Sequence, residues 1–232
     1  MRAEPLETAE LRWTGIHGDR QYAFCRAGNT SRFPWLTGRD VPELVRYVPR
    51  YDDPGDPRRS RLRVTTPDGK ELDLTNPALA AELSAAAGEE VRMLQSGRGL
   101  FDSMPVSVIS TATGRALDRS CGYEIGVRRF RQNIVLDLAA GLDTSETNWL
   151  DGTLLFGDGE APPRIRINTR IERCVMITID PESAGKDALI MRRVAEEHEN
   201  LVGVYCAVEA PGCISVGDTV LLDRPSPGER VR

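Results

Sequence analysis

The chain has 232 residues, enough for one compact domain or two small ones with cores of their own. With 40% hydrophobic and 28% charged residues it is globular rather than disordered, and its net charge of −5 argues against a general nucleic-acid or membrane-surface binder. No uncharged apolar run nears the ~18 residues a membrane helix needs, and the N-terminus shows no secretory apolar region. Five cysteines without a CxxC pair fit reduced thiols in a cytoplasm better than a disulfide framework.

The 21 glycines and 15 prolines favour many short strands over long helices. In chain order, residues 20–25 read as a strand with Gly28-Asn29 turning after it. The polar, Pro-rich stretch 50–61 reads as an exposed loop. Leu62 and Val64, then Leu72 and Leu74, alternate with polar residues around Pro67-Asp68-Gly69, a hairpin in which Gly supplies the positive φ. Asn76-Pro77 opens a helix that ends at Gly88. Ser96 to Gly99 is the expected boundary between two halves, giving 1–97 and 98–224, with 225–232 as a frayed polar tail. In the second half, strands are predicted at 106–109, 134–138, 153–156, 164–168, 175–179, 202–208 and 214–222. Helices are predicted at 113–120 and 187–199, the latter with Met191, Val194, Ala195 and His198 on one face. The expected class is therefore β-rich α+β, with two barrel-like β domains and a few short helices.

No GxSxG, GxxxxGK[ST] or GxGxxG is present, and two histidines, His17 and His198, cannot build a His-rich zinc site. Chemistry then falls to thiols and anion binders. Cys174, in Arg173-Cys174-Val175-Met176 against an expected strand start, could be held as a thiolate by Arg173 and Arg170. Such a thiolate is a soft metal ligand or a nucleophile; the alternative is a buried structural thiol. Arg128, Arg129, Arg131 and Asn133 at a strand entrance could clamp a phosphate, or form a solvated basic edge. Arg39 is a third candidate anion binder. Asp102-Ser103 could bond a polar ligand, and His17 reads as a turn residue. Tyr205 and Cys206 alternate on a strand, so only one of them can face a pocket.

These segments, taken in order, resemble the MOSC family, named for the molybdenum-cofactor sulfurase C-terminal domain, preceded by its N-terminal β-barrel domain. The residues that carry it are GIHGDR at 15–20, Leu36 to Leu44 with its T-x-R-x-x-P-x-L pattern, and Phe101 to Val106. Arg129-Phe130-Arg131-Gln132-Asn133-Ile134 resembles R-F-R-P-N-I, with Gln where Pro is common. Arg173-Cys174 to Asp180-Pro181, Gly203-Val204-Tyr205 and GCISVGDTVL at 212–221 complete the set.

The resemblance implies a molybdenum–pterin site at the domain interface. In relatives that include the mitochondrial amidoxime-reducing component, the matching Cys ligates molybdenum, here Cys174. Arg39, Arg131 and Asn133 would hold phosphate and pterin, with Arg39 and Arg131 close together. Asp102, Ser103, Glu172, Arg173 and Tyr205 match the remaining cofactor-lining positions. The implied activity is molybdenum-dependent reduction of N-hydroxylated or N-oxide compounds, fed by an external electron donor. The alternative is a non-catalytic carrier of molybdenum cofactor or sulfane sulfur, or a shell that has lost its ligand. Family-level descriptions also carry pyridoxal phosphate binding. The family pattern places a Pro-Val-Lys-Ser strand before residue 1, so the first strand and its lysine are expected to be missing.

Overall fold

The computed structural model describes residues 1–139 and 145–224; the tail at 225–232 lies outside them. Its strands are β1 (Thr8–Arg12), β2 (Gly15–Ile16), β3 (Tyr22–Arg26), β4 (Val48–Tyr51), β5 (Leu62–Thr65), β6 (Glu71–Asp73) and β7 (Val91–Gln95). They continue as β8 (Val106–Ser110), β9 (Ile134–Leu136), β10 (Thr153–Phe156), β11 (Arg164–Glu172), β12 (Leu201–Ala210), β13 (Gly212–Ser215) and β14 (Val220–Asp223). The helices are α1 (Pro77–Ala87), α2 (Thr111–Cys121) and α3 (Ala188–His198). The protein is β-rich α+β, as its composition suggests.

Two units share the chain in an interleaved way: one is Met1–Pro5, Gly18–Leu100 and Val175–Ala188, the other Leu6–His17, Phe101–Cys174 and Leu189–Arg232. Unit 1 contains the antiparallel pair β3–β7 and the sheet β4-β5-β6. The β5–β6 hairpin closes through Thr66, whose N–H meets the Lys70 carbonyl at 2.8 Å, while Gly69 takes φ 86°. In α1 the Asn76 side chain accepts the Ala78 N–H at 2.9 Å, and Gly88 ends the helix in the left-handed region at φ 72°. This helix delivers Leu79 and Leu83, both fully buried, to a core with Phe24, Leu36, Leu44 and Val64. Each such leucine contributes about 1.5–3 kcal/mol.

Unit 2 is built on a curled six-stranded sheet, ordered β14-β10-β11-β12-β8-β9, in which only β8–β9 is parallel. Helix α2 makes the crossover between those two strands, capped by Ser110, whose Oγ accepts the Thr113 N–H at 3.0 Å. Strand β1 pairs with β13 and β2 and buries Leu11 completely in the same core as Val106, Val108, Ile165, Ile167, Val204 and Cys206. So residues 8–12 do form a paired strand.

Several expected elements are revised. Residues 175–179 are not a strand: Val175–Thr178 is a 3-10 turn, closed by the Thr178 hydroxyl on the Val175 carbonyl at 2.8 Å. A side chain that bonds its own backbone competes with a ladder for the same carbonyls. The run 214–222 splits into β13 and β14, because Ser215 N–H bonds the Asp218 carboxylate at 2.7 Å and turns the chain at Gly217. In α3 the buried stripe is Ile190 and Val194, while Ala195 faces solvent. The loop expected at 50–61 begins after β4 has taken Arg50 and Tyr51.

Candidate functional site

In unit 2 the period-two alternation of β8 and β12 sorts the core from a polar face. Val106, Val108, Val204 and Cys206 turn into the core, leaving Ser107 and Tyr205, directly paired, on the opposite side. Asn133 joins them: its Oδ1 accepts from the Ser107 N–H at 3.1 Å and hydroxyl at 2.9 Å, and its N–H reaches the Ser107 carbonyl at 3.1 Å. Asn133 is thus held to β8 by a side chain that the sequence hid inside an apolar strand.

The arginine cluster does not enter its strand directly. Val127–Phe130 form a 3-10 turn, and Arg131 follows with φ 57°, in the left-handed region. Arg129 is buried with its Nε on the Ile125 carbonyl at 2.7 Å, which makes it a structural tie, whereas Arg128 is exposed. The turn ends with Phe130, whose ring and carbonyl both face Arg173. The Arg173 guanidinium lies 5.3 Å from the ring centroid and its Nη2 donates to the Phe130 carbonyl at 2.6 Å.

Strand β11 carries register shifts between Ile167 and Thr169 and between Arg170 and Glu172, bulges that re-aim the chain before Arg173. Burial pulls the Arg173 guanidinium pKa below its ordinary value; Cys174, Tyr205 and Asp102, all within electrostatic reach, oppose that. Cys174 itself is exposed. It follows the end of β11 rather than opening a strand. Arg170 does not serve it: its Nε donates to the Thr147 carbonyl at 3.1 Å.

Three buried polar atoms here have no hydrogen-bond partner among the described residues: Arg173 Nε, Gln132 Oε1 and Asn200 Oδ1. Left unmet, each would cost about 1–3 kcal/mol. Gln132 also sends its Nε2 to the Phe130 carbonyl at 3.2 Å.

Of the residues singled out from sequence, Arg173, Cys174, Asp102 and Tyr205 gather, and Asn133 stands one strand-pair from Tyr205. Asp102, Ser103 and Glu172 are exposed. Arg39 belongs to unit 1, exposed in a turn in which the Asp40 carboxylate accepts the Thr37 N–H at 2.9 Å and hydroxyl at 3.0 Å. Its guanidinium lies 5.0 Å from the Phe33 centroid.

Glu146 escaped the sequence reading altogether. It is 1% exposed, and its carboxylate accepts the hydroxyls of Ser110 at 2.9 Å and Thr113 at 2.6 Å and the Gly203 N–H at 3.0 Å. That ties α2, β12 and its own 3-10 turn together beside a cleft of about 50 Å³ that also touches His198. A Ser-x-x-Thr cap and a distant Glu leave no local signal of such a node.

A family model described as MOSC domain matches residues 95–221. The chain belongs to the MOSC domain family. Curated relatives include mitochondrial amidoxime-reducing component 1 of Mus musculus, 31% identical over 134 residues, and of Homo sapiens, 29% over 135. Mitochondrial amidoxime reducing component 2 of Bos taurus is 28% identical over 132 residues. These matches cover 51–52% of this MOSC chain and 37% of each relative, so the chain spans well under half their length. Among solved structures, the YuaD protein from Bacillus subtilis is similar at 12% identity and TM-score 0.46, covering 95% of this chain and 86% of that one. YiiM from Geobacillus stearothermophilus gives 13% and 0.40, over 59% and 69%.

Proposed function

We propose that this MOSC protein binds molybdenum cofactor, with the Cys174 thiolate as metal ligand, and reduces N-hydroxylated or N-oxide compounds using electrons from an external donor. The observation that carries the reading is an exposed thiol next to a desolvated guanidinium whose Nε has no partner among the described residues. The donor set fits the group. A soft thiolate suits molybdenum, a guanidinium suits phosphate, and amide and phenol groups suit a pterin edge. Among the described residues no three His, Cys, Asp or Glu side chains gather as a metal site.

Arg173, Asp102, Ser103, Glu172, Tyr205, Arg131 and Asn133 are the proposed holding residues, all in unit 2. When bound, the cofactor supplies two-electron redox chemistry; the protein supplies orientation and electrostatic tuning. Arg173, already partly dehydrated, would hold an anionic group at a reduced desolvation cost. The Phe130 ring and carbonyl hold its guanidinium in place, and the Ser107–Asn133 bonds fix the Asn133 amide. Pyridoxal phosphate fits poorly. Lys70 and Lys186 are the chain's two lysines, both exposed, and Asp68 at 2.7 Å raises the Lys70 pKa, opposite to what a Schiff-base amine needs.

Among the described residues no helix is long and apolar enough to cross a membrane. The test is expression in a cofactor-replete host, followed by molybdenum and pterin content and reduction of an amidoxime with a chemical electron donor. Stoichiometric molybdenum in wild type, lost in Cys174→Ser with an unchanged melting temperature, is expected. Full occupancy in the serine variant overturns the ligand assignment, and bound molybdenum without turnover points to the carrier reading.

A further inference from the structure

We propose that Asn200 is the positioning residue for the Cys174 thiol. Helix α3 ends at His198, and Glu199 and Asn200 then take φ 50° and 67°, two consecutive left-handed residues. Asn is among the few side chains that accept that region readily. The turn brings Asn200 to both sides of one peptide residue. The Asn200 carbonyl accepts the Arg173 N–H at 2.8 Å, and Asn200 Nδ2 donates to the Arg173 carbonyl at 2.9 Å.

The clamp is itself anchored from behind. Asn200 N–H bonds the Val194 carbonyl at 3.1 Å, inside α3. Three residues on, Gly203 N–H bonds the buried Glu146 carboxylate at 3.0 Å, and the backbone passes so close that a Cβ at Gly203 would lie 3.0 Å from the Val108 carbonyl. Arg173 is therefore gripped at both ends, its peptide by Asn200 and its guanidinium by Phe130. Cys174 is the next residue and the last of its unit before Val175. The Cys174 thiol is exposed, its backbone continues directly from the Arg173 peptide, and Asn200 sets that peptide. Among the described residues, Asn200 Oδ1, a buried acceptor, and Arg173 Nε, a buried donor, have no hydrogen-bond partner.

The chemistry asks for asparagine. Aspartate offers only acceptors to a carbonyl, and glycine keeps the left-handed backbone without any donor. The inference rests on the reading of Cys174 as the ligand-bearing thiol, and the experiment separates the two. Full-length wild type, Asn200→Gly and Asn200→Asp are made in a host that cannot build the pterin cofactor. Peptide-resolved iodoacetamide labelling then compares Cys174 with the exposed Cys213 as internal control, and amide exchange is read at Arg173. The expected result is alkylation of Cys174 several-fold faster and Arg173 exchange about tenfold faster in both variants, with Cys213 unchanged. A merely stabilising Asn200 would move the melting temperature and both thiol rates in parallel, which overturns the proposal. So does an unchanged Cys174 rate in Asn200→Gly. The same proteins from a cofactor-replete host report molybdenum content, expected to fall about fivefold in both variants. Wild type without molybdenum but with Cys174 freed in Asn200→Gly refutes the cofactor reading and leaves the positioning role standing.

Discussion

Two arginines in this chain lie over phenylalanine rings at nearly the same distance, 5.0 Å for Arg39 on Phe33 and 5.3 Å for Arg173 on Phe130. They differ in everything around the ring. Arg39 is exposed on a turn of unit 1, where water solvates its charge and the ring adds little. Arg173, in unit 2, has its Nε sealed from solvent, one nitrogen on a carbonyl, and its pKa pulled down by burial. A cation–π contact grows from about 0.5–1 kcal/mol at exposed sites to about 2 kcal/mol or more when dehydrated. The same pair of residue types is a surface contact in one unit and a rigid, electrostatically strong element in the other.

The largest effect that tests this contrast is expected from Arg173→Ala. It should cost about 3 kcal/mol by denaturant unfolding, from the lost ring contact and charged hydrogen bond together, against about 0.5 kcal/mol for Arg39→Ala. Equal losses would erase the contrast. Next comes the packing of α2 on the turn that contains Phe130: a Cβ at Gly114 would sit 2.3 Å from Val127 Cγ1. Gly114→Ala should cost about 1–3 kcal/mol by overpacking and loosen Arg173 through the displaced 3-10 turn, read as faster amide exchange there.

On the strand that carries Tyr205, burial pushes the Cys206 thiol up to about 12. The folded state holds that proton more tightly than the unfolded chain. Its contribution is therefore complete below about pH 9 and lost as pH rises towards 12, at up to about 1.4 kcal/mol per pH unit. Cys206→Ala should unfold more readily at pH 7 yet show a shallower alkaline decline; parallel curves for the two proteins would contradict it.

The smallest effect belongs to the turn that carries Arg39. Burial raises the Asp40 pKa, but the Thr37 N–H and hydroxyl and the Arg26 charge outweigh it, leaving the carboxyl below its usual range. A depressed carboxyl stabilises above the ordinary Asp pKa and ceases to as pH falls through its folded value. Asp40→Asn should thus melt slightly lower than wild type at pH 7, with the gap closing below about pH 4.

Local signals were readable in the sequence. Asn76-Pro77 and Gly88 bracket α1, and 153–156 coincides with β10, because caps and short alternating runs encode themselves. The R-C and R-F-R-Q-N segments pointed to Cys174, Arg173, Arg131 and Asn133. What stayed hidden depends on distant partners. Asn200 reads as an ordinary residue after a helix until its bonds to Arg173 are seen, and Glu146 as a surface acid until Ser110, Thr113 and Gly203 surround it. The apolar run at 175–179 misled for the opposite reason: its composition is that of a strand, but Thr178 satisfies the Val175 carbonyl locally.

Because β1 belongs to the same unit as β13, with Thr8 facing Ser215, no single cut divides this protein into two independent pieces. A fragment starting near residue 98 would keep the MOSC motifs yet lose Leu11 from the core and strip β13 of its neighbour. The two strands of that pair can meet only once residue 215 has left the ribosome. A nascent chain stalled anywhere before residue 212 therefore holds Cys174 in an unfinished frame.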